Sequence, residues 1–226
     1  MKKTFSRWFG VCPIAVLWRY STKLNSLLGS LALLFSASAC TASPPSSASG
    51  SSGPATGSPL SGVTVLIIRH AEKPPFGSGL SVEGQARAEA YVKYFQNLRQ
   101  GSDRLTPDYI VAADDSDHSQ RSRLTVEPLA KSLGLKPDLR FQAKRPQDLV
   151  HEIQSSPHGK IILVCWHHHE IPELLQRLGA DPETLLPQGE WPAQQFGWML
   201  RLCFDENGRL IASRSKRVKE HLMPGD

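Results

Sequence analysis

Three apolar stretches of this chain each end abruptly in polar residues. The stretches span 63–68, 109–113 and 160–165. Because they are rich in valine and isoleucine, they predict buried β-strands. Apolar residues at helical spacing predict a helix capped by Ser81 and further helices over 126–133, 146–154 and 171–178. This alternation predicts a three-layer α/β/α fold, with helices on both faces of a mainly parallel sheet.

The later part of the chain predicts additional strands. A hairpin is expected over 196–204 and 209–217, around a turn at 205–208. Residues 139–141 are a candidate for one more short strand.

The amino-terminal 39 residues differ in composition from the rest. They contain five Lys or Arg residues and no Asp or Glu, and an apolar stretch over 27–35 is followed by small residues. An apolar stretch this short predicts a signal peptide and not a membrane-spanning helix. The formal charge of +5 belongs to this segment, because the remainder has no net charge. A nucleic-acid partner is therefore not expected.

Cys40 directly follows Ala37-Ser38-Ala39. The stretch resembles a bacterial lipobox, whose cysteine becomes the lipidated first residue, although lipoboxes more often have leucine where Ala37 stands. An ordinary signal peptidase would cut the same bond and release a soluble secreted protein. We expect an exported protein of the bacterial cell envelope, anchored to the membrane by a lipid on Cys40. Mass spectrometry that finds Cys40 unmodified in the mature chain would refute the anchor.

Residues 40–62 are almost entirely small or polar, and Leu60 is their only large apolar side chain. Such a segment has too little apolar surface to form a core, so it is predicted to be a disordered tether. A single folded domain is predicted over 63–226. Cys165 and Cys203 lie in its apolar stretches and are predicted to be buried free thiols, with a disulfide between them as the alternative.

The residues that follow the predicted strands have the chemistry of an anion site. Strands of a parallel sheet end at one edge, so Arg69, His70, Arg121 and His167 are expected in one crevice. Their positive charges would repel one another unless an anion lies between them. The planar fork of arginine suits phosphate, and a neutral imidazole is able to attack a phosphoryl group.

Four segments occur in the order seen in the histidine phosphatase superfamily, which has the phosphoglycerate mutase-like fold. They are 66–73 (LIIRHAEK), 80–88 (LSVEGQARA), 121–130 (RSRLTVEPLA) and 163–167 (LVCWH). The resemblance covers the domain from Val63 onward. It implies that His70 is the nucleophile that becomes phosphohistidine, that Arg69 and Arg121 bind the phosphate, and that His167 completes the catalytic pocket. It also implies hydrolysis of the intermediate by water, without a metal or other cofactor.

The chain departs from the family pattern around this pocket. Trp166 stands where a small residue usually precedes the second histidine, and its bulk is expected to narrow or reshape the pocket. The segment before Arg121 is acidic, with Asp114, Asp115 and Asp117, where the family usually has a Ser-Pro-type loop. No residue matches the family's acid motif. The general acid therefore stays open among Glu72, Asp114, Asp115, His168 and Glu170.

These features predict a phosphatase that acts through His70 on a phosphorylated small molecule or a phosphoprotein. The alternative is a catalytically weak envelope module of the same fold that binds anions or a partner. Trp166, the acidic segment and the missing acid motif favour that alternative. The triplet of histidines 167–169 is not expected to bind a metal, because adjacent side chains point in different directions.

Overall fold

A computed structural model of the protein describes residues 57–226. Within them, one sheet has five strands. Its strands are β1 (Thr64–Arg69), β4 (Tyr109–Ala112), β5 (Ile161–Trp166), β6 (Trp198–Cys203) and β7 (Lys216–Lys219). The pairings of β4 with β5 and of β5 with β1 are parallel, whereas β6 runs antiparallel to both β1 and β7. The sheet is therefore mixed, with a parallel half formed by β4, β5 and β1 and an antiparallel half in which β6 pairs with β1 and β7.

Helices cover both faces of this sheet. They are α1 (Val82–Asn97), α2 (Arg121–Leu133), α3 (Pro146–Ser155), α4 (Ile171–Arg177) and α5 (Pro182–Leu185). Two short strands, β2 (Arg99–Gln100) and β3 (Asp103–Arg104), form a separate hairpin after α1. Ser81 caps α1, since its hydroxyl accepts a hydrogen bond from the Gly84 nitrogen at 3.1 Å.

The side chains of β1 alternate between two cores. Val65 and Ile67 pack with residues of α3 and α4, while Leu66 and Ile68 pack with residues of α1 and α2. Because both faces of the strand are buried, its sequence is a continuous apolar run. The predicted α/β/α fold is confirmed by these two cores.

The register of the parallel half determines where the strands end. Arg69 pairs with Trp166 between β1 and β5, and Ala112 pairs with Cys165 between β4 and β5. The three strands thus reach the same edge of the sheet, where their following loops meet.

The structure differs from the sequence-based expectations at three places. Residues 139–141 form no strand, because the segment beside β4 makes only an isolated bridge between Asp138 and Val111. The second tail strand begins at Lys216, since a bridge at Leu210 and a 3-10 turn at Ala212–Arg214 come first. The end of the predicted tether packs on the domain, because Leu60 is buried and Gly62 donates a backbone hydrogen bond to Asp205 at 2.9 Å.

The signal peptide, Cys40 and most of the predicted tether lie outside the described residues, so those interpretations stay predictions. None of the helices within 57–226 has the length and apolar character needed to cross a membrane. Cys165 and Cys203 are buried free thiols.

Candidate functional site

A cavity of about 520 Å³ opens where β1 and β5 end and α2 begins. Its wall includes all four residues that the sequence singles out, Arg69, His70, Arg121 and His167. The other lining residues are Glu72, Lys73, Glu83, His168, His169, Glu170, Ala193, Gln194 and Phe196. The loops after two strands, the first residue of α2 and the loop before β6 therefore share one cavity.

His70 is held as a neutral imidazole with one free nitrogen. Its Nδ1 donates a hydrogen bond to the carbonyl of Ala71 at 2.8 Å, which leaves Nε2 without a proton. Burial lowers the pKa of His70 to about 3, and the positive charges near it act in the same direction, although the bond to Ala71 opposes them. The ring is therefore a nucleophile that stays unprotonated far below neutral pH.

Arg69 is anchored by a loop that the sequence did not single out. Its Nη1 donates to the carbonyls of Pro192 at 3.3 Å, Ala193 at 2.8 Å and Gln195 at 3.0 Å. Its Cζ also lies 3.9 Å from the ring centroid of Phe196. The hydrogen bonds of this anchor all go to backbone carbonyls, which no residue type in the loop could have indicated.

Arg121 and His167 complete the group around His70. Arg121 begins α2, and its Nη1 makes only a long contact of 3.5 Å with the carbonyl of Gly77. The rings of His70 and His167 meet edge-on, with centroids 5.4 Å apart. Burial, followed by the charges of Arg121 and Arg69, lowers the pKa of His167 to about 4.

His168 lies on the same cavity wall, and its ring centroid is 6.5 Å from that of His70. The Nη2 of Arg69 donates to its Nδ1 at 3.4 Å, so the neutral ring carries its proton on Nε2. Burial and the charge of Arg69 lower the pKa of His168 to about 4.

Unpartnered polar atoms are concentrated at this cavity. Nine buried side-chain nitrogen or oxygen atoms of the described residues have no hydrogen-bond partner, and five of them belong to residues that line it. The five are Arg69 Nε, Arg121 Nε, His167 Nε2, His168 Nε2 and Glu170 Oε2. Since buried polar atoms are normally paired, this cluster indicates a site for a ligand that supplies the partners.

The structure separates the candidates for general acid. Glu72 is hydrogen-bonded to Arg87, and Asp115 forms an ion pair with Arg123 at 2.7 Å. Asp114 is half-buried and lines an adjoining cavity instead. Glu72, His168 and Glu170 all line the cavity, but of these three only Glu72 is held in an ion pair, with Arg87. Burial raises the pKa of Glu170.

Trp166 does not narrow the cavity, contrary to the expectation from its size. Its side chain is fully buried in the core beside α3 and α4, and its Nε1 donates to the carbonyl of Ala143 at 3.0 Å. Because successive residues of a strand point to opposite faces, the indole turns away from the side that carries His167. Asp115 and Asp117 are exposed, so these two carboxylates of the acidic segment face solvent.

Comparisons with known proteins give structural similarity alone. No protein-family model and no curated protein matches the chain. A putative alpha-ribazole-5'-P phosphatase from Escherichia coli is 11% identical, with a TM-score of 0.49, and the match covers 73% of this chain and 100% of that one. A phosphoglycerate mutase from Plasmodium falciparum is 16% identical over 67% of this chain and 88% of its own, with a TM-score of 0.44.

A putative phosphohistidine phosphatase from Agrobacterium tumefaciens is 17% identical, with a TM-score of 0.43, over 63% of this chain and 92% of its own. The chain is an α/β protein with a mixed sheet, and the solved structures to which it is similar include a phosphoglycerate mutase and two putative phosphatases.

Proposed function

We propose that the protein is a phosphatase that hydrolyses a phosphomonoester or a phosphoprotein through a phosphohistidine on His70. The observation that carries the proposal is the state of His70. A hydrogen bond to Ala71 leaves its Nε2 free, and burial keeps the ring neutral beside two arginines and His167. A neutral nucleophile next to positive charge fits attack on an anionic phosphoryl group.

The reaction follows from this arrangement in two steps. The lone pair of His70 Nε2 forms a bond to phosphorus while the bond from phosphorus to the leaving oxygen breaks, and that oxygen takes a proton from the general acid. Water then attacks phosphorus, the N–P bond breaks, and inorganic phosphate leaves as the acid recovers its proton. Arg69 and Arg121 stabilise the charge on the phosphoryl oxygens, for which Arg69 offers Nε and the N–H of Nη2 that does not point to His168.

A catalytically weak anion-binding module of the same fold is the second candidate. It is favoured by the state of Arg69, whose Nη1 is already bonded to three loop carbonyls. A guanidinium with fewer free donors stabilises a transferring phosphoryl group less well.

Turnover of 4-nitrophenyl phosphate by the full chain separates the two candidates. We expect steady hydrolysis by the parent, and a loss of at least about 10³-fold in His70→Ala, because the nucleophile is removed. His151→Ala is the matched control, since this exposed histidine on α3 does not line the cavity. Parent activity equal to that of His70→Ala, together with measurable binding of inorganic phosphate, would favour the binding module.

A further inference from the structure

The motif at the start of α1 is not explained by the chemistry of the cavity. Ser81, Gly84 and Arg87 are spaced three residues apart, so they lie along one side of the helix. All three contact Glu72, which follows His70 by two residues. The Ser81 nitrogen donates to the Glu72 carbonyl at 2.9 Å. A Cβ on Gly84 would lie only 2.4 Å from the same carbonyl oxygen, so the helix and the loop are in direct backbone contact.

Arg87 holds the Glu72 carboxylate with a fork of hydrogen bonds. Its Nη2 donates to Oε1 at 2.7 Å, and its Nε donates to Oε1 at 3.0 Å and to Oε2 at 3.1 Å. The Arg87 side chain is 3% exposed, so solvent barely competes with these bonds. Such charge-assisted, multidentate pairs fix the geometry of both partners.

The same guanidinium also binds the segment after β7. Arg87 donates to Asp226 Oδ1 at 2.7 Å through Nη2 and to Oδ2 at 3.0 Å through Nη1. Asp226 in turn accepts backbone hydrogen bonds from Leu222 at 2.9 Å and Met223 at 3.0 Å. One buried arginine thus connects the loop that carries His70, helix α1 and the segment over 222–226.

The position of Glu72 matters for the electrostatics of the cavity. Glu72 lines the cavity together with Arg69. Burial lowers the pKa of Arg69, and the negative charge of Glu72 partly opposes this effect. Without Arg87, the Glu72 carboxylate would lose its fork of hydrogen bonds beside Arg69 and Lys73, which line the same cavity. An anion would then compete with Glu72 for Arg69.

We propose that Arg87 is a positioning residue of the anion site, which holds Glu72 away from Arg69 and fixes the loop that carries His70. This role rests on the proposed function, but its first consequence is for anion binding, which is measurable without turnover. Arg87 acts through Glu72 and does not line the cavity itself.

The test is the affinity of the full chain for inorganic phosphate, measured by calorimetry at pH 7. Arg87→Gln is expected to weaken binding about tenfold, because the freed Glu72 competes for Arg69. The Kd of Glu72→Gln for phosphate is expected to lie within about threefold of the parent value. The Kd of the double variant Arg87→Gln/Glu72→Gln is expected to lie within about threefold of that of Glu72→Gln. This rescue would not occur if Arg87 only stabilised the fold. Arg140→Gln is the matched control, because this exposed arginine also joins two carboxylates, Asp138 and Glu152.

Two results would overturn the proposal: phosphate affinity of Arg87→Gln equal to that of the parent, or a double variant as weak as Arg87→Gln. If Arg87→Gln does not fold, Arg87→Lys replaces it, with weaker phosphate binding and the same rescue by Glu72→Gln expected. If Glu72→Gln rescues phosphate binding but the parent forms no phosphoenzyme, the role of Arg87 is supported. Only the proposed phosphatase mechanism is then contradicted.

Discussion

At the scale of single residues, His70 differs from an ordinary histidine in the pH at which it gains a proton. Burial lowers its pKa to about 3, and the pKa of His167 falls to about 4. The kcat/KM of an enzyme reports the ionisation of its free groups. We therefore expect kcat/KM, corrected for ionisation of the substrate phosphate, to show no loss between pH 7 and pH 5. An acid limb centred near the ordinary histidine pKa of about 6.5 would mean that His70 is not held as described.

The choice of general acid is a second question at this scale. Glu170 lines the cavity with Oε2 unpartnered, and burial raises its pKa. Glu170→Gln is expected to slow hydrolysis of an alkyl phosphate by about 10²–10⁴-fold. Hydrolysis of 4-nitrophenyl phosphate should change much less, because its leaving oxygen needs no proton. If His168→Gln produces this leaving-group dependence and Glu170→Gln does not, His168 is the acid.

At the scale of elements, helix α1 supports the loop that carries His70. Gly84→Ala tests this contact, because two effects of the substitution oppose each other. Alanine favours a helix over glycine by about 1 kcal/mol, but its Cβ would lie 2.4 Å from the Glu72 carbonyl oxygen. The backbone of helix α1 and the backbone of the loop at Glu72 are both hard to displace. We therefore expect a net loss of about 1–3 kcal/mol in the free energy of unfolding and a lower kcat.

Gly79→Ala is the control for this substitution, since a Cβ there meets only Leu124 Cδ1, at 3.8 Å. Chemical denaturation gives the free energies of unfolding of both variants. A Gly84→Ala variant more stable than the parent would mean that the helix and the loop are not in the contact described.

Some of the strands and helix boundaries were predictable from the sequence, and others were not. The apolar runs of β1, β4 and β5 and the cap at Ser81 were predictable, because burial on both faces and local capping leave direct signals in the sequence. The start of β7 at Lys216 was not predictable, since it depends on pairing with β6 after an intervening turn. The hydrogen bonds that anchor Arg69 were not predictable for a related reason, because their acceptors are backbone carbonyls distant from Arg69 in the sequence.

At the scale of the whole molecule, the buried carboxyl of Glu220 makes stability depend on pH. Burial raises its pKa to about 8, and Asp226 and Glu72 add to this, although Tyr91 and Arg87 oppose it. Between pH 4.5 and 8 the folded state keeps a proton that the unfolded state releases, so the stability that Glu220 contributes falls as the pH rises through this range.

Glu220→Gln has no such proton to lose. Its Tm relative to the parent is therefore expected to rise from pH 5 to pH 8, by roughly 2–4 °C for each 1 kcal/mol that Glu220 contributes. Glu89→Gln, an exposed substitution on α1, is the control. Parallel Tm curves for Glu220→Gln and the parent would show that Glu220 does not titrate in this way.

The convergence of Arg69, His70, Arg121 and His167 was predictable, because parallel strands end at one edge of a sheet. The orientation of Trp166 was less apparent, since size alone does not tell which face of the sheet a side chain occupies. The hydrogen bonds from Arg87 to Asp226 join residues far apart in the sequence, so no local sequence pattern predicts them.

Trapping the phosphoenzyme would show whether His70 is the nucleophile. The full chain is mixed with a ³²P-labelled phosphomonoester, quenched in alkali within the first turnover and digested for peptide mapping. We predict one label that is stable in alkali and labile in acid, carried by the peptide with His70 and absent from His70→Ala. A parent enzyme that turns over the substrate without this label, or with the label on another residue, would contradict the mechanism.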